Sequence, residues 1–523
     1  MRPACVLVLA AVSAAPLGAW AQPAPVPAQG PATTDDELGP GEKAIQDRPD
    51  PLLAALSPEA GGLTLEAVGR EAVRTSHAVR AKEAELEGSA GAVTQTTVQF
   101  FPRLTLSASY TRLSPVTLPS LGGGGAIVGT ANEGPVTVGP CPSDPATQCV
   151  LDSAGTPAQA AAFGFSFPVI LNQYSLNANL LVPISDYFTR ATQAYAAAET
   201  NQKALELAAD AQRLQVAADA QLVFLQWVLS RGNVVVAQQS VQQAKTQLDD
   251  AKLALSVGTA SKADVMRIEA LLAQSQFLEA EARAQESTAE QQVRTVLHMP
   301  QSQRLASAVD VMGVQPDATV PSFESLYAEA LENRMDLAAV EASRRASEEA
   351  TSAEVASYWP RLDAIGNLTY ANPNQRIIPS REEFDLTWDV GLRLSWTVNE
   401  TFSTLGTATQ SRARTAQIAA QRDSLTDAVR MEVAAARAEL AKAVPSIEAA
   451  DRGVLAAEEG LRVTKKLFAF GKATGTDLAD AENQVTSARL RTLSAHIGLL
   501  AARVRLDHAV GRDVPRQAPA RAR

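Results

Sequence analysis

The side chains in this sequence that could do chemistry are few and scattered. His77, His298, His496 and His508 lie far apart on stretches of helical periodicity. Each reads as a helix-surface or packing residue rather than an acid–base group. Gly122 to Gly125 form a glycine run, but no strand–turn–helix pattern surrounds it and no Lys-Ser/Thr pair closes it, so it is not a phosphate loop. Cys141 and Cys149 are near neighbours in a Pro/Gly-rich stretch without adjacent histidines, which makes a poor metal site. Asp477 and Asp480 stand three apart, so a helix carries both on one face, and acids at a helix start are also favoured by the dipole. No catalytic constellation emerges. The chain reads as no enzyme, with no cofactor and no metal.

The bulk properties point the same way. The 523 residues are 46% hydrophobic and 20% charged, with a net charge of -11. That is enough chain for several domains, and an acidic chain lacks the basic face of a nucleic-acid binder. Residues 1–21 read as a secretory signal: Arg2, an apolar core over residues 6–12, and the A-x-A pattern Ala19-Trp20-Ala21. Cys5 lies too early to be a lipoprotein cysteine. In an exported chain, Cys141 and Cys149 are expected to form a disulfide. No later stretch has eighteen continuous apolar residues, the length of a helical membrane span.

What must position these residues is a duplicated chain. Leu63-Thr64-Leu65-Glu66-Ala67 opens a helical stretch that runs to Phe100-Phe101-Pro102-Arg103-Leu104. Ser322-Phe323-Glu324-Ser325-Leu326 opens another that runs to Tyr358-Trp359-Pro360-Arg361-Leu362. They align without a gap, Glu66 on Glu324 and Pro102 on Pro360. Further on, the turn Val257-Gly258-Thr259 and Asp264 repeat as Phe470-Gly471-Lys472 and Asp477. Each unit is therefore helix, two strands, long helix, tight turn, helix.

From Val429 to Leu461, and again from Leu478 to Leu506, small and apolar residues step by four and three, a sustained heptad seam. The glycine turns stop the long helices, and Ser261 or Thr476 is expected near the start of each return helix. The first long arm, 185–257, should be about 110 Å long if unbroken. Pro445 predicts a bend in the second. The alanine-rich seams bury little area, so such hairpins need neighbours on both flanks.

Two segments per unit alternate with period two. Leu104, Leu106, Ala108 and Tyr110 alternate with polar residues, as do Tyr174, Leu176, Ala178, Leu180 and Val182. Phe384, Leu386, Trp388, Val390, Leu392, Leu394 and Trp396 do the same in the second unit. One apolar face with terminal aromatics and one polar face is the pattern of outer-membrane strands. An amphipathic sheet over a soluble core would share the alternation. Four strands cannot close a barrel, and an open edge cannot stand in lipid. Membrane strands here would require several chains to share one barrel.

This organisation resembles the TolC-like outer-membrane efflux protein family over roughly residues 63–511, carried by the doubled Pro-Arg-Leu junctions and the doubled glycine turns. The resemblance implies a mainly α fold with a membrane β-barrel: coiled-coil hairpins forming a periplasmic α-barrel, and a shared twelve-stranded barrel in a homotrimer. It implies outer-membrane lipid around the barrel and partners in a periplasmic adaptor (a membrane fusion protein) and an inner-membrane pump. Function would be a passive, gated exit duct for efflux or type I secretion. The adaptor would dock at the tips Val257, Gly258, Thr259, Phe470, Gly471 and Lys472. Asp477 and Asp480, with Asp264 of the first tip, match the acidic residues of the gate, which symmetry multiplies into a cation-binding ring. Ala473 departs from the pattern, standing where the family has a basic residue bonded to the first-tip acid. The closing bonds are therefore expected to differ or be weaker, with Lys472 or Lys262 as candidate substitutes. Phe468 replaces a tyrosine. A periplasmic coiled-coil adaptor or a secreted coiled-coil adhesin are the alternatives; neither needs the duplication or lipid-facing strands.

The expected organisation is a signal (1–21), a Pro-rich leader (22–62), a first repeat (63–300), a linker (301–321), a second repeat (322–511) and a disordered tail (512–523). Strands are expected near 103–111, 173–183, 361–370 and 384–396, with a long extracellular loop at 113–172.

Overall fold

The computed structural model describes residues 51–116, 126–162, 169–314 and 319–512. The signal, most of the leader, residues 513–523 of the tail and the Gly122–Gly125 run lie outside them.

Each repeat starts with a broken helix. α1 (Leu65–Thr75) and α2 (His77–Val98) meet at Ser76; α5 (Phe323–Asn333) and α6 (Met335–Val355) meet at Arg334. A single continuous helical stretch was expected in each. The interruptions fall at equivalent positions, where Ser76 and Arg334 take extended backbone angles. Thr64 and Ser322, also equivalent, cap α1 and α5 by accepting a backbone N–H through the hydroxyl. Arg334 is nearly buried, and its guanidinium donates to Asp336, Glu432 and the Ala509 carbonyl, which ties the second break to two other helices.

Four long strands follow: β1 (Arg103–Arg112), β6 (Asn172–Val182), β7 (Arg361–Asn372) and β8 (Asp385–Ser395). They form one antiparallel sheet in the order β1-β6-β7-β8. The register puts Leu104 opposite Leu180, Leu180 opposite Gly366 and Gly366 opposite Val390. One row lower in the pleat, Thr105 faces Asn179, Asn179 faces Asn367 and Asn367 faces Asp389. Period-two alternation therefore becomes one apolar and one polar face across all four strands. The stretch between β1 and β6 is partly folded: β2 (Ala126–Gly129) pairs with β5 (Gln159–Ala162), and β3 (Thr137–Cys141) with β4 (Asp144–Leu151). A disulfide joins Cys141 to Cys149.

The remaining helices are two long hairpins. α3 (Arg190–Ser256) returns as α4 (Lys262–Leu297), and α7 (Val398–Ala469) returns as α8 (Gly475–Val510). α3 runs 67 residues without a break, roughly 100 Å at the standard rise. Part of α3 is apolar enough to cross a membrane by composition, but 56% of that window is buried inside the fold, as in a core helix. α7 continues through Pro445. α8 lies between α7 and α3. The four helices share a core near the turns, built from Leu248, Ala251, Val265, Ile268, Leu461, Phe468, Leu478, Ala481 and Val485. A second core joins α5, α6, α7 and α8 through Leu326, Leu337, Val429, Val433 and Leu506.

Close approach of α3 to α8 depends on Gly232, since any methyl there would overlap the fully buried Leu493. Replacing Gly232 with valine should therefore lower stability by about 1–3 kcal/mol, the usual cost of overpacking. Denaturant titration of the detergent-solubilised protein measures it. Unchanged stability would mean that Leu493 has room to turn aside.

Candidate functional site

The two hairpin turns are built alike. In the first, Gly258 takes a φ of 82° and the Thr259 N–H reaches back to the Ala254 carbonyl at 2.9 Å. In the second, Gly471 takes a φ of 69° and the Lys472 N–H reaches the Leu467 carbonyl at 2.8 Å. Both are left-handed helix ends that glycine adopts at little cost.

Each return helix opens with a capping box. The Ser261 hydroxyl accepts from the Asp264 N–H at 3.2 Å, while the Asp264 carboxylate accepts from the Ser261 N–H at 3.0 Å and its hydroxyl at 2.6 Å. The Asp477 carboxylate accepts from the Thr474 N–H at 2.8 Å and its hydroxyl at 2.7 Å. The cap is Thr474, and Thr476 sits in the first turn, near the helix start as expected. The signal was present in the sequence: Ser or Thr followed three residues later by an acid.

The turns are joined to each other. The Gly475 N–H donates to Asp264 Oδ1 at 2.9 Å, across 211 residues of sequence. A β-carbon at Gly475 would lie 3.0 Å from both Cα and Cβ of Asp264, so only glycine fits comfortably. Neither Lys472 nor Lys262 pairs with Asp264, whose bonds go to Ser261 and Gly475. The closing bond thus differs from the family's, as the departure at Ala473 implied, and within the chain neither candidate lysine supplies it. The family's basic position, Ala473, instead packs with Ala260 against the shared core, and Phe468 is buried in it. With an apolar side chain at 473, a backbone N–H supplies the donor.

These bonds set the local electrostatics. The Ser261 hydroxyl, then the Gly475 amide, hold the Asp264 carboxyl below its ordinary range. The Thr474 amide and hydroxyl do the same for Asp477. Asp480 is exposed on α8 and makes no side-chain bond among the described residues. Val257 and Phe470 stand out from the turns at 68% and 78% exposure, beside the exposed Lys472.

The second candidate surface is the sheet. Its apolar face is bare: Leu106, Val390, Leu392 and Leu394 are each 70% exposed or more. Tyr110, Tyr174, Phe384 and Tyr370 stack in contact at one end of it, and Trp359, Trp396 and Phe101 stand exposed at the other. The polar face is cross-linked by hydrogen bonds, Ser109 to Ser175 at 2.7 Å and Asn367 to Asp389 at 2.7 Å. Arg376 also pairs with Asp389 at 2.7 Å. The outer edges of β1 and β8 have no strand partner among the described residues.

The loop between β1 and β6 is organised by Asp152. Its carboxylate accepts from the Thr156 hydroxyl and N–H, the Asn132 amide and the Ala154 N–H, which hold its pKa down to about 2.

Of the four histidines, two that lie far apart in the sequence meet in the fold. His77 and His298 make an edge-to-face contact, His508 meets Gln215, and His496 is buried beside Asp451.

Comparison with known proteins places this arrangement. Residues 326–512 match the family described as outer membrane efflux protein. Among solved structures, the outer-membrane channel OprN is similar at 16% identity and a TM-score of 0.66, over 88% of this chain and 95% of that one. The CmeC outer membrane channel of Campylobacter jejuni is similar at 14% identity and a TM-score of 0.65, over 88% and 91%. The open state of the MtrE outer membrane channel of Neisseria gonorrhoeae is similar at 16% identity and a TM-score of 0.64, over 86% and 88%. At these identities the likeness is one of fold. No curated protein sequence matches the chain.

Both capped acids have lowered pKa values, so their stabilisation is complete above the unfolded carboxylate value of about 4 and is lost as pH falls through the folded values. Hydrogen exchange at the turns should be alike at pH 5 and pH 7 once corrected for intrinsic rates, and should rise only below about pH 4. Replacing Gly475 with valine should raise exchange at both turns at neutral pH. Protection that already falls between pH 7 and 5 would assign the joint to other groups.

Proposed function

We propose, from the match of residues 326–512 to the outer membrane efflux protein family and from the sheet, that the chain is one subunit of a trimeric outer-membrane channel, a passive and gated exit duct. The observation that carries this reading is the sheet. It has four strands, one bare apolar face ringed by aromatics, one hydrogen-bonded polar face and two open edges. An apolar face of that extent has no place in water. In lipid the face is satisfied, but the edges are not, because no water is present to bond them. Copies that join β8 of one to β1 of the next remove every edge, and three of them make a twelve-stranded barrel with its polar face inward.

The duct continues into the hairpins. Each is thin and rich in alanine, so flanking copies complete its packing. The turns then converge at the periplasmic end. There Asp477 and Asp480 of each subunit form a ring of like charge that narrows the pore and binds cations. Val257, Gly258, Thr259, Phe470, Gly471 and Lys472 offer an apolar and basic surface to an adaptor, and docking there favours the open arrangement. The energy source belongs to an inner-membrane pump, which also selects the substrate.

Planar-bilayer recording of the purified oligomer tests the reading. The expected result is a small, cation-selective conductance blocked by divalent cations, with the block lost in Asp477→Asn/Asp480→Asn. A verified oligomer that stays silent even with its adaptor would sink the duct. A conductance indifferent to both substitutions would move the gate elsewhere. Independently, Val390→Arg should cost about 2–4 kcal/mol of folding free energy in vesicles if that residue faces lipid; no cost would place the face outside the bilayer.

A further inference from the structure

The bare face of the four-stranded sheet is not uniform. Large side chains cover most of it, but two alanines interrupt them on neighbouring strands. Leu106 of β1 stands opposite Ala178 of β6, which stands opposite Leu368 of β7. In the next row Ala108 stands opposite Leu176, and Leu176 opposite Tyr370. The alanines therefore lie on a diagonal between adjacent rows, and the longer side chains around them wall a groove of about 360 Å³.

One charge stands on this face. Arg112, the last residue of β1, follows Leu104, Leu106, Ala108 and Tyr110 at a period of two, so it shares their side of the sheet. By the same count the other charged residues of the four strands, Arg103, Arg361, Asp363, Asp385, Asp389 and Arg393, fall on the polar side. Asn172, directly opposite Arg112, holds it in place: Asn172 Oδ1 accepts from Arg112 Nη1 and from the Tyr110 hydroxyl, both at 3.1 Å. Arg112 is exposed and forms no ion pair among the described residues. At the same end of the sheet Arg376 and Arg381 are committed to Asp389 and Asp385. The loop after β1 adds no cation, because residues 113–171 contain no Lys, Arg or His. Tyr110 and Tyr174, in ring contact, stand between the groove and the guanidinium.

We propose that groove and guanidinium form one lipid site, with an acyl chain in the groove and its anionic phosphate head on Arg112. The site rests on the channel reading above, since a bilayer is what presents such a molecule to this face. The dimensions agree. Leu106 and Arg112 are six residues apart, about 20 Å along the strand, which a barrel tilt of about 40° turns into about 15 Å of depth. One leaflet of a hydrocarbon core about 30 Å thick has the same depth. The rings of Tyr110 and Tyr174 then fall where hydrocarbon gives way to headgroups. Arg112 adjoins the loop, so the lipid belongs to the leaflet on the loop side. Its guanidinium offers a fork of N–H donors that matches phosphate, and Asn172 occupies only part of that fork. A zwitterionic head brings its own cation beside the phosphate and gains less, so the site selects a lipid of net negative charge.

Lipid retention by the detergent-purified oligomer tests the site. Native mass spectrometry reads it, with phosphatidylglycerol and phosphatidylcholine of identical acyl chains as probes. Each chain should hold one phosphatidylglycerol through mild delipidation and should release phosphatidylcholine. Arg112→Gln should weaken retention by about tenfold or more, the effect of losing a charge-assisted hydrogen bond, while Arg112→Lys keeps most of it. Ala178→Leu, which fills the groove and leaves the head contact alone, should lower retention several-fold. Leu394→Ala, elsewhere on the same face, should change nothing. Glycerol phosphate, a head without a tail, should not displace the lipid. Equal retention of the two lipids, or full retention in Arg112→Gln or Ala178→Leu, would overturn the site. Bilayer conductance of the same preparations separates this outcome from failure of the channel reading. An oligomer that conducts but holds no lipid selectively keeps the duct and loses the site; a chain that enters no bilayer loses both.

Discussion

Everything outward of the helices depends on the backbone groups along the free edges of β1 and β8. A strand edge in water is bonded by solvent, while an edge in lipid has no such partner and costs several kcal/mol per group. The side chains of this sheet leave little choice of medium, since its apolar face runs unbroken through four strands and is bare in the isolated chain. On the proposed channel reading, edge and face act together: the face meets lipid, and lipid requires the edges to be paired. The polar face is a consequence as much as a feature. In a closed barrel of the proposed kind, whatever is not outside is inside, and the Ser, Thr, Asn and Asp residues would line a water-filled space.

The helical part solves a different problem with small residues. Alanine at the seam positions lets helices approach closely but removes little surface from water, so no single hairpin holds itself together by burial. The structure compensates at particular points. Gly232 admits Leu493, Gly475 admits Asp264, and Phe468 fills the space where the four helices meet. Capping boxes at Ser261 and Thr474 supply bonds that the bare helix starts lack. The break at Arg334 becomes a junction because its buried guanidinium reaches α6, α7 and α8 at once.

Much of this was legible in the sequence because it is periodic. The strand faces follow from alternation, the hairpins from heptads, and the turns from glycine at equivalent positions of two repeats. What escaped is what periodicity does not encode. The interruption at Ser76 lies within a continuous helical pattern; a hydroxyl cap ends one helix and starts the next there without any proline or glycine to mark it. Thr476 and Thr474 are both plausible caps by composition, and only the acid three residues beyond Thr474 separates them. The small sheets inside the long loop belong to strands of four to eight residues held by a disulfide and by Asp152, too short for a pattern. The joint between the turns uses a backbone N–H, which every residue but proline has, so no side chain could announce it.

That joint also changes how the acidic residues divide their work. Asp264 and Asp477 occupy the same place in the two repeats and make the same capping box, so the presence of an acid at either position is explained by the helix start alone. The duplication then breaks. Asp264 has a second role, accepting from Gly475, whereas position 262, the counterpart of Gly475 in the first repeat, is Lys262 and offers no such close approach to Asp477. Asp477 is left with a carboxylate committed to its own cap and otherwise exposed, and Asp480, one turn further, has no bond to satisfy. Of the three acids, Asp480 is the one whose charge has no structural use within the chain. If a ring of carboxylates meets cations at the end of a pore, its affinity rests chiefly on Asp480, with Asp477 adding field from a fixed position and Asp264 withdrawn into the scaffold.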